Sequence, residues 1–184
     1  MHLHDRTGLT LFSRLPVLLA LCLALLCTSA FAAKPPVYLS KDNPYALQGY
    51  DPVAYFTLGQ PRKGNKKHTF EYNDAVWLFT SDMHKQMFAQ EPERFAPQFG
   101  GYCAFSVAQG TALQGKPEYW QIDNGKLYLN RTANIHERWL ERHHALAIRA
   151  NANWPAVLEG QLRSAVRQQV IEADRKRREA AKQQ

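Results

Sequence analysis

Trp120-Gln121-Ile122-Asp123-Asn124-Gly125-Lys126-Leu127-Tyr128-Leu129-Asn130 is the stretch that decides the fold class. Asn-Gly suits a two-residue turn with positive φ at both positions, and the apolar and aromatic runs on either side read as its two strands. Upstream, His68-Thr69-Phe70-Glu71-Tyr72 places His68, Phe70 and Tyr72 on one face, and Ala75 to Phe79 follows across Asn73-Asp74. A first hairpin is expected there. Between the hairpins, Ser81 is suited to cap a helix reaching Phe88 with an apolar stripe of Met83, Met87 and Phe88, and Pro92 to open a further turn. After Gly100-Gly101 a strand is expected from Tyr102 to Ala108. Beyond Asn130 the period becomes helical through Ile135, Trp139, His143, Leu146 and Ala150. After Trp154-Pro155 a second stripe runs through Leu158, Leu162, Val166 and Val170. The predicted class is α+β: a small antiparallel sheet of hairpins with short helices, followed by C-terminal helices. No internal repeat or low-complexity tract is evident.

Working outward, residues 1–32 read as a signal peptide. Arg6 and Arg14 lead, Leu15 to Cys27 is almost continuously apolar, and Ala30-Phe31-Ala32 has the small-x-small form of a cleavage site. The apolar run is shorter than the ~20 residues of a spanning helix. The reading is export to the periplasm or the medium, with an uncleaved anchor as the alternative. Leu21 and Leu26 precede Cys22 and Cys27, which disfavours a lipid anchor. Cleavage leaves Cys103 as the one cysteine, so no internal disulfide is expected. Residues 33–44, with three prolines, form a linker or an ordered arm. A domain follows over 45–155, then a charged helical extension over 156–184. Of 184 residues, 45% are hydrophobic and 21% charged, which fits a globular domain and excludes a disordered chain. The net charge of +7 lies partly in the extension, where residues 160–184 could meet an anionic membrane or an acidic protein. Nucleic acid is not expected as a partner for an exported chain whose basic and acidic residues are interleaved.

The chemistry-bearing residues are few. Cys103 is alone after a Gly-Gly pair, and is either a small buried hydrophobe or a functional thiol. His84 lies at the edge of the predicted stripe, where it is either a hydrogen-bonded helix histidine or a metal ligand. Met83 and Met87 could present two sulfurs to copper(I), although core filling is the commoner use of such a pair. His136, His143 and His144 read as surface or groove histidines, since His136 and His143 lie about 10 Å apart along a helix. In Gln48 to Phe56, Asp51 is suited to cap a helix with Pro52 at its first position, and Tyr50 and Tyr55 could line a polar pocket with it. Nucleotide-loop, nucleophile-elbow, zincin, Cys-x-x-Cys and c-type haem signatures are absent, so no catalytic residue is assigned.

Together these residues resemble the YHS-domain family, specifically its exported single-domain branch. The resemblance rests on Gly49 to Phe56, Phe70 and Tyr72 with Trp77 and Phe79, Ser81 with Phe88 and Pro92, Tyr102-Cys103-Ala104, Gly125 to Asn130, and Trp154-Pro155. It implies a relative of small treble-clef-type metal modules, with two ligand cysteines at positions held here by Ala54 and Thr80 and a third ligand-like position at His84. What is left for a metal is Cys103 and His84, with Asp51 as a further candidate. The expectation is a non-catalytic module binding copper, another transition-metal ion or a small ligand, in a pocket around Cys103, Tyr50, Asp51 and Tyr55. The alternatives are a redox or catalytic protein using Cys103, and a partner- or membrane-binding domain.

Overall fold

A computed structural model of the chain describes residues 33–160. The signal-peptide reading and the stripe through Leu162, Val166 and Val170 lie outside the described residues. The elements in order are α1 (Ala54–Thr57), β1 (Asn65–Tyr72), β2 (Ala75–Phe79), α2 (Asp82–Gln90), α3 (Pro92–Phe95), α4 (Ala104–Ala108), β3 (Lys116–Asp123), β4 (Lys126–Asn130), α5 (Ala133–Leu140) and α6 (His143–Leu158). The class is α+β, with two separate two-stranded antiparallel sheets, β1 with β2 and β3 with β4. Both hairpins turn where expected, at Asn73-Asp74 and Asn124-Gly125, all four in positive φ. Ser81 caps α2 by accepting from the His84 N–H at 3.2 Å, and Pro92 opens α3. Among the described residues no helix is long and apolar enough to cross a membrane.

Four local expectations differ. Residues 104–108 form a helical turn instead of continuing a strand, and Cys103 stands in extended backbone just before it. The small, apolar run Ala104 to Ala108 is buried on every side, so it carries no period to separate strand from helix. Met83 is 65% exposed and leaves the apolar stripe of α2 to Met87 and Phe88. The helical run after Asn130 is broken at Glu141-Arg142 into α5 and α6, and α6 continues through Pro155.

The fourth difference is the largest: within the described residues one arrangement of elements occurs twice, a structural duplication. Each half opens on a left-handed turn, Leu47-Gln48-Gly49 in the first and Phe99-Gly100-Gly101 in the second, all with positive φ. A tyrosine follows, Tyr50 or Tyr102, whose N–H closes the turn on the Leu47 or Phe99 carbonyl. Then come one polar residue, Asp51 or Cys103, and one short helix. A hairpin of eight and five residues follows in each half. The registers coincide, Asn65 with Phe79 and Thr69 with Leu78 matching Lys116 with Asn130 and Trp120 with Leu129, and each shifts register between those pairs. A hydroxyl cap, Ser81 or Thr132, then starts a helix. That helix plants Phe88 or Trp139 in the core at 0% exposure.

The halves have an aromatic cluster each. Phe88 packs on Phe70, Tyr72, Trp77 and Phe79 in the first. Trp139 packs on Tyr128 and donates its indole N–H to Gln121 at 2.7 Å in the second. Tyr55 joins them, lying edge-on to Trp120 and donating to the Pro117 carbonyl at 3.1 Å. Residues 34–38 lie along the second half as an arm. The Lys34 N–H donates to Leu158, the Tyr38 N–H to Gly100, and Tyr102 Oη to Pro35. Gly100 sits so close beneath the arm that a Cβ would lie 1.8 Å from the Pro36 oxygen, and its φ of +58° is itself unsuited to other residues.

Candidate functional site

The duplication places Asp51 and Cys103 at equivalent points, each under backbone N–H groups from the start of its short helix and from the end of its hairpin. Asp51 is fully buried. Its Oδ1 accepts from the Val53 N–H at 2.9 Å and the Ala54 N–H at 3.3 Å. Its Oδ2 accepts from the Thr80 N–H at 2.8 Å and Thr80 Oγ1 at 2.7 Å. His84 Nδ1 completes the set 2.6 Å from the same oxygen. Both carboxylate oxygens already accept from N–H and O–H groups, and His84 Nδ1 joins that set. The positions that would carry metal ligands in the resemblance, 54, 80 and 84, therefore converge on the Asp51 carboxylate.

His84 Nε2 faces Thr57 Oγ1 at 3.3 Å, which extends the line from the core to an exposed hydroxyl. An Asp-His-hydroxyl series invites comparison with a nucleophilic triad. Thr57 Oγ1 also lies 3.0 Å from the Val53 carbonyl, so this hydroxyl is shared between α1 and His84. The arrangement holds α1, the end of β2 and α2 together.

Cys103 is 1% exposed. Its thiol lies 3.8 Å from Asn130 Oδ1, and Asn130 Nδ2 is 3.2 Å from His136 Nδ1. Burial pushes the thiol up, opposed by hydrogen bonds from Ser106, Arg131 and Phe105. These match, one for one, the Ala54, Thr80 and Val53 positions around Asp51. Ser106 also closes the loop beneath, donating to the Cys103 carbonyl at 2.7 Å and accepting from the Leu113 N–H. Burial also lowers His136 from its ordinary value, so it stands as a neutral imidazole beside Asn130 near neutral pH. Cys103 is thus a protonated, enclosed thiol. Alkylation of the native chain by iodoacetamide is expected to run about a hundredfold or more slower than that of the urea-unfolded chain, tracking the unfolded population. A native rate equal to the unfolded one would restore the thiol-based reading.

The remaining expected site residues scatter. Tyr50 bonds Glu118 at 3.2 Å beneath the ammonium of Lys63, and burial followed by the Glu118 charge raises its phenol. Tyr55 is core, its phenol raised mainly by burial. Cys103 and His84 do not share a ligand cluster. Among the described residues the group of three possible metal ligands is Asp123, His143 and His144.

An open cleft of about 460 Å³ lies between the tip of the first hairpin, the arm and the end of α6. Tyr72, Phe99 and Trp154 supply aromatic walls, and Asn73, Gln98 and Asn151 supply amides. The charged groups Glu93 and Lys126 stand at its rim. Cys103 does not line it. The cleft was not legible in the sequence, because its lining comes from five separate segments. No family model, curated protein or solved structure matches the chain.

Proposed function

We propose that the chain is an exported, non-catalytic binding module of the YHS type that takes a small molecule with a flat apolar face and hydrogen-bonding edges. The cleft carries the reading: its volume lies in the range of small-ligand sites, and aromatic rings and side-chain amides stand together in its lining. The polar groups of the two halves support it by default. Asp51, His84 and Thr80 are engaged with one another, and among the described residues no buried side-chain nitrogen or oxygen lacks a partner. A ligand pocket around Cys103 has no such support, and the ligand is placed in the cleft.

The test is a titration of the isotope-labelled chain with free aromatic amino acids and with monosaccharides, followed through its indole and backbone N–H resonances. The expected result is a saturable shift of Trp154 and of Gln98 to Gly100 with one class of probe, lost in Trp154→Ala. A chain that keeps its melting temperature and shows no saturable shift at the cleft with either class would remove the reading.

A further inference from the structure

We infer that Asp123, His143 and His144 form a binding site for a borderline divalent transition-metal ion of the Zn²⁺ type, where the turn of the second hairpin meets the start of α6. One ligand atom from each of the three lies within 4.8 Å of the others. The Asp123 oxygens are divided between the imidazoles, Oδ1 at 3.7 Å from His143 Nε2 and Oδ2 at 3.4 Å from His144 Nδ1. Both separations exceed the 2.7–3.2 Å of a good nitrogen-oxygen hydrogen bond. Each, measured to its own carboxylate oxygen, lies at or slightly above the edge of a coordination tetrahedron, about 3.4 Å for ligands about 2.1 Å from a central ion. The carboxylate therefore faces two nitrogens at the spacing of co-ligands.

The tautomer is set for this role. His143 Nδ1 donates to the Leu140 carbonyl at 3.0 Å, which leaves the lone pair on Nε2, the atom turned toward Asp123. An imidazole held by a backbone carbonyl through its other nitrogen is the usual support of a metal-bound histidine. The two rings lie 4.1 Å apart between centroids, so both can reach one ion. Side-chain exposure rises from 16% for Asp123 through 22% for His143 to 70% for His144. The fourth position thus opens to water. Two features oppose a cation: His143 begins α6, whose dipole is positive at that end, and Lys126 faces Asp123 across the hairpin. The Asp123 carboxylate offsets both. The nearby Tyr128 phenol, raised by burial and then by Asp123, stays neutral and supplies no further charge. Two imidazoles and one carboxylate suit Zn²⁺, with Cu²⁺ and Ni²⁺ as competitors on the same ligands.

The site lies in the second half and shares no residue with the Asp51 network, with Cys103 or with the cleft, so it stands or falls apart from the proposed function. The full chain, stripped with chelator, is titrated with Zn²⁺ alone by calorimetry, in parallel with His144→Ala, Asp123→Asn, His68→Ala and Cys103→Ala. One ion per chain is expected for the parent, His68→Ala and Cys103→Ala. At least a tenfold loss of affinity is expected for His144→Ala and for Asp123→Asn. The exposure of His144 makes its alanine variant a safe fold, checked by an unchanged metal-free melting temperature. No binding by the parent, unchanged binding by folded His144→Ala, or loss in Cys103→Ala alone would each overturn the site.

Discussion

Asp51→Ala is expected to cost about 3–5 kcal/mol of folding stability, the scale of removing one partner from a buried charged network. The carboxylate accepts from three backbone N–H groups, one hydroxyl and one imidazole, drawn from α1, the end of β2 and α2. Alanine leaves all five donors facing a void. Each buried donor left unmade costs about 1–3 kcal/mol, and partial relaxation and water entry keep the total below their sum. Asp51→Asn offers little relief, because its NH₂ would have to point at donors on whichever side it takes. In urea denaturation the midpoint should fall sharply with an unchanged slope. Thr57→Ala, at the exposed end of the same line, should cost about 1 kcal/mol or less. A loss below about 1 kcal/mol for Asp51→Ala would mean that the network forms only weakly in solution, since even one unmade buried donor costs that much.

The equivalence of Asp51 and Cys103 explains how one cradle serves two chemistries. Three backbone N–H groups favour an anion on geometry alone. In the first half they meet a carboxylate that His84 and Thr80 also serve. In the second half Asn130, which is neutral, and the lowered His136 stand nearby, and desolvation outweighs the N–H groups. The thiol therefore stays neutral, whereas the same cradle in the first half holds a carboxyl group.

Much of the fold was legible, and the reason is local. Asn73-Asp74, Asn124-Gly125, Ser81 and Pro92 act through their own backbone angles or the next turn, so a few residues are enough to read them. Residues 104–108 were misread because a uniformly apolar run has no period. The duplication was hidden for a different reason. It shows in register, turn handedness and cap position, while the identities differ: Phe70 and Trp77 correspond to Gln121 and Tyr128, and Phe88 corresponds to Trp139. Its surviving signals are small ones, Gly-Tyr before the polar residue and a hydroxyl cap after each hairpin. The candidate site was the least legible part. Asp51 was readable as a cap, yet its meeting with Thr80 and His84 depends on where β2 ends against α1, and the Asp123 cluster depends on where α6 begins.

Gly64→Ala and Gly115→Ala test the duplication directly, because the two glycines hold one structural position. Each stands just before the first strand of its hairpin, and each donates its N–H to the glycine that ends the left-handed turn, Gly64 to the Gly49 carbonyl at 2.9 Å and Gly115 to the Gly101 carbonyl at 3.1 Å. Neither has positive φ, so the requirement for glycine is one of space. A Cβ on Gly64 would lie 2.5 Å from the Leu78 carbonyl carbon, and one on Gly115 would lie 2.7 Å from the Gly101 oxygen and 2.8 Å from Leu129 Cβ. These are backbone or near-backbone obstacles that no rotamer change clears, so the chain at Gly64 must move off Leu78 of β2, and the chain at Gly115 off Leu129 of β4 and the Gly101 carbonyl. Overpacking of this kind costs about 3 kcal/mol or slightly more. Both variants should lower the denaturation midpoint by similar amounts, whereas Gly59→Ala, with nothing within 4 Å of its Cβ, should lose only the cost of its positive φ. The local signatures should differ while the magnitudes agree: Gly64→Ala should speed hydrogen exchange at Asp51 and Tyr50, and Gly115→Ala at Cys103 and Tyr102. A large loss at one glycine and none at the other would show that the halves share a shape without sharing the close approach of this glycine to Leu78 or Leu129 on the second strand of its hairpin.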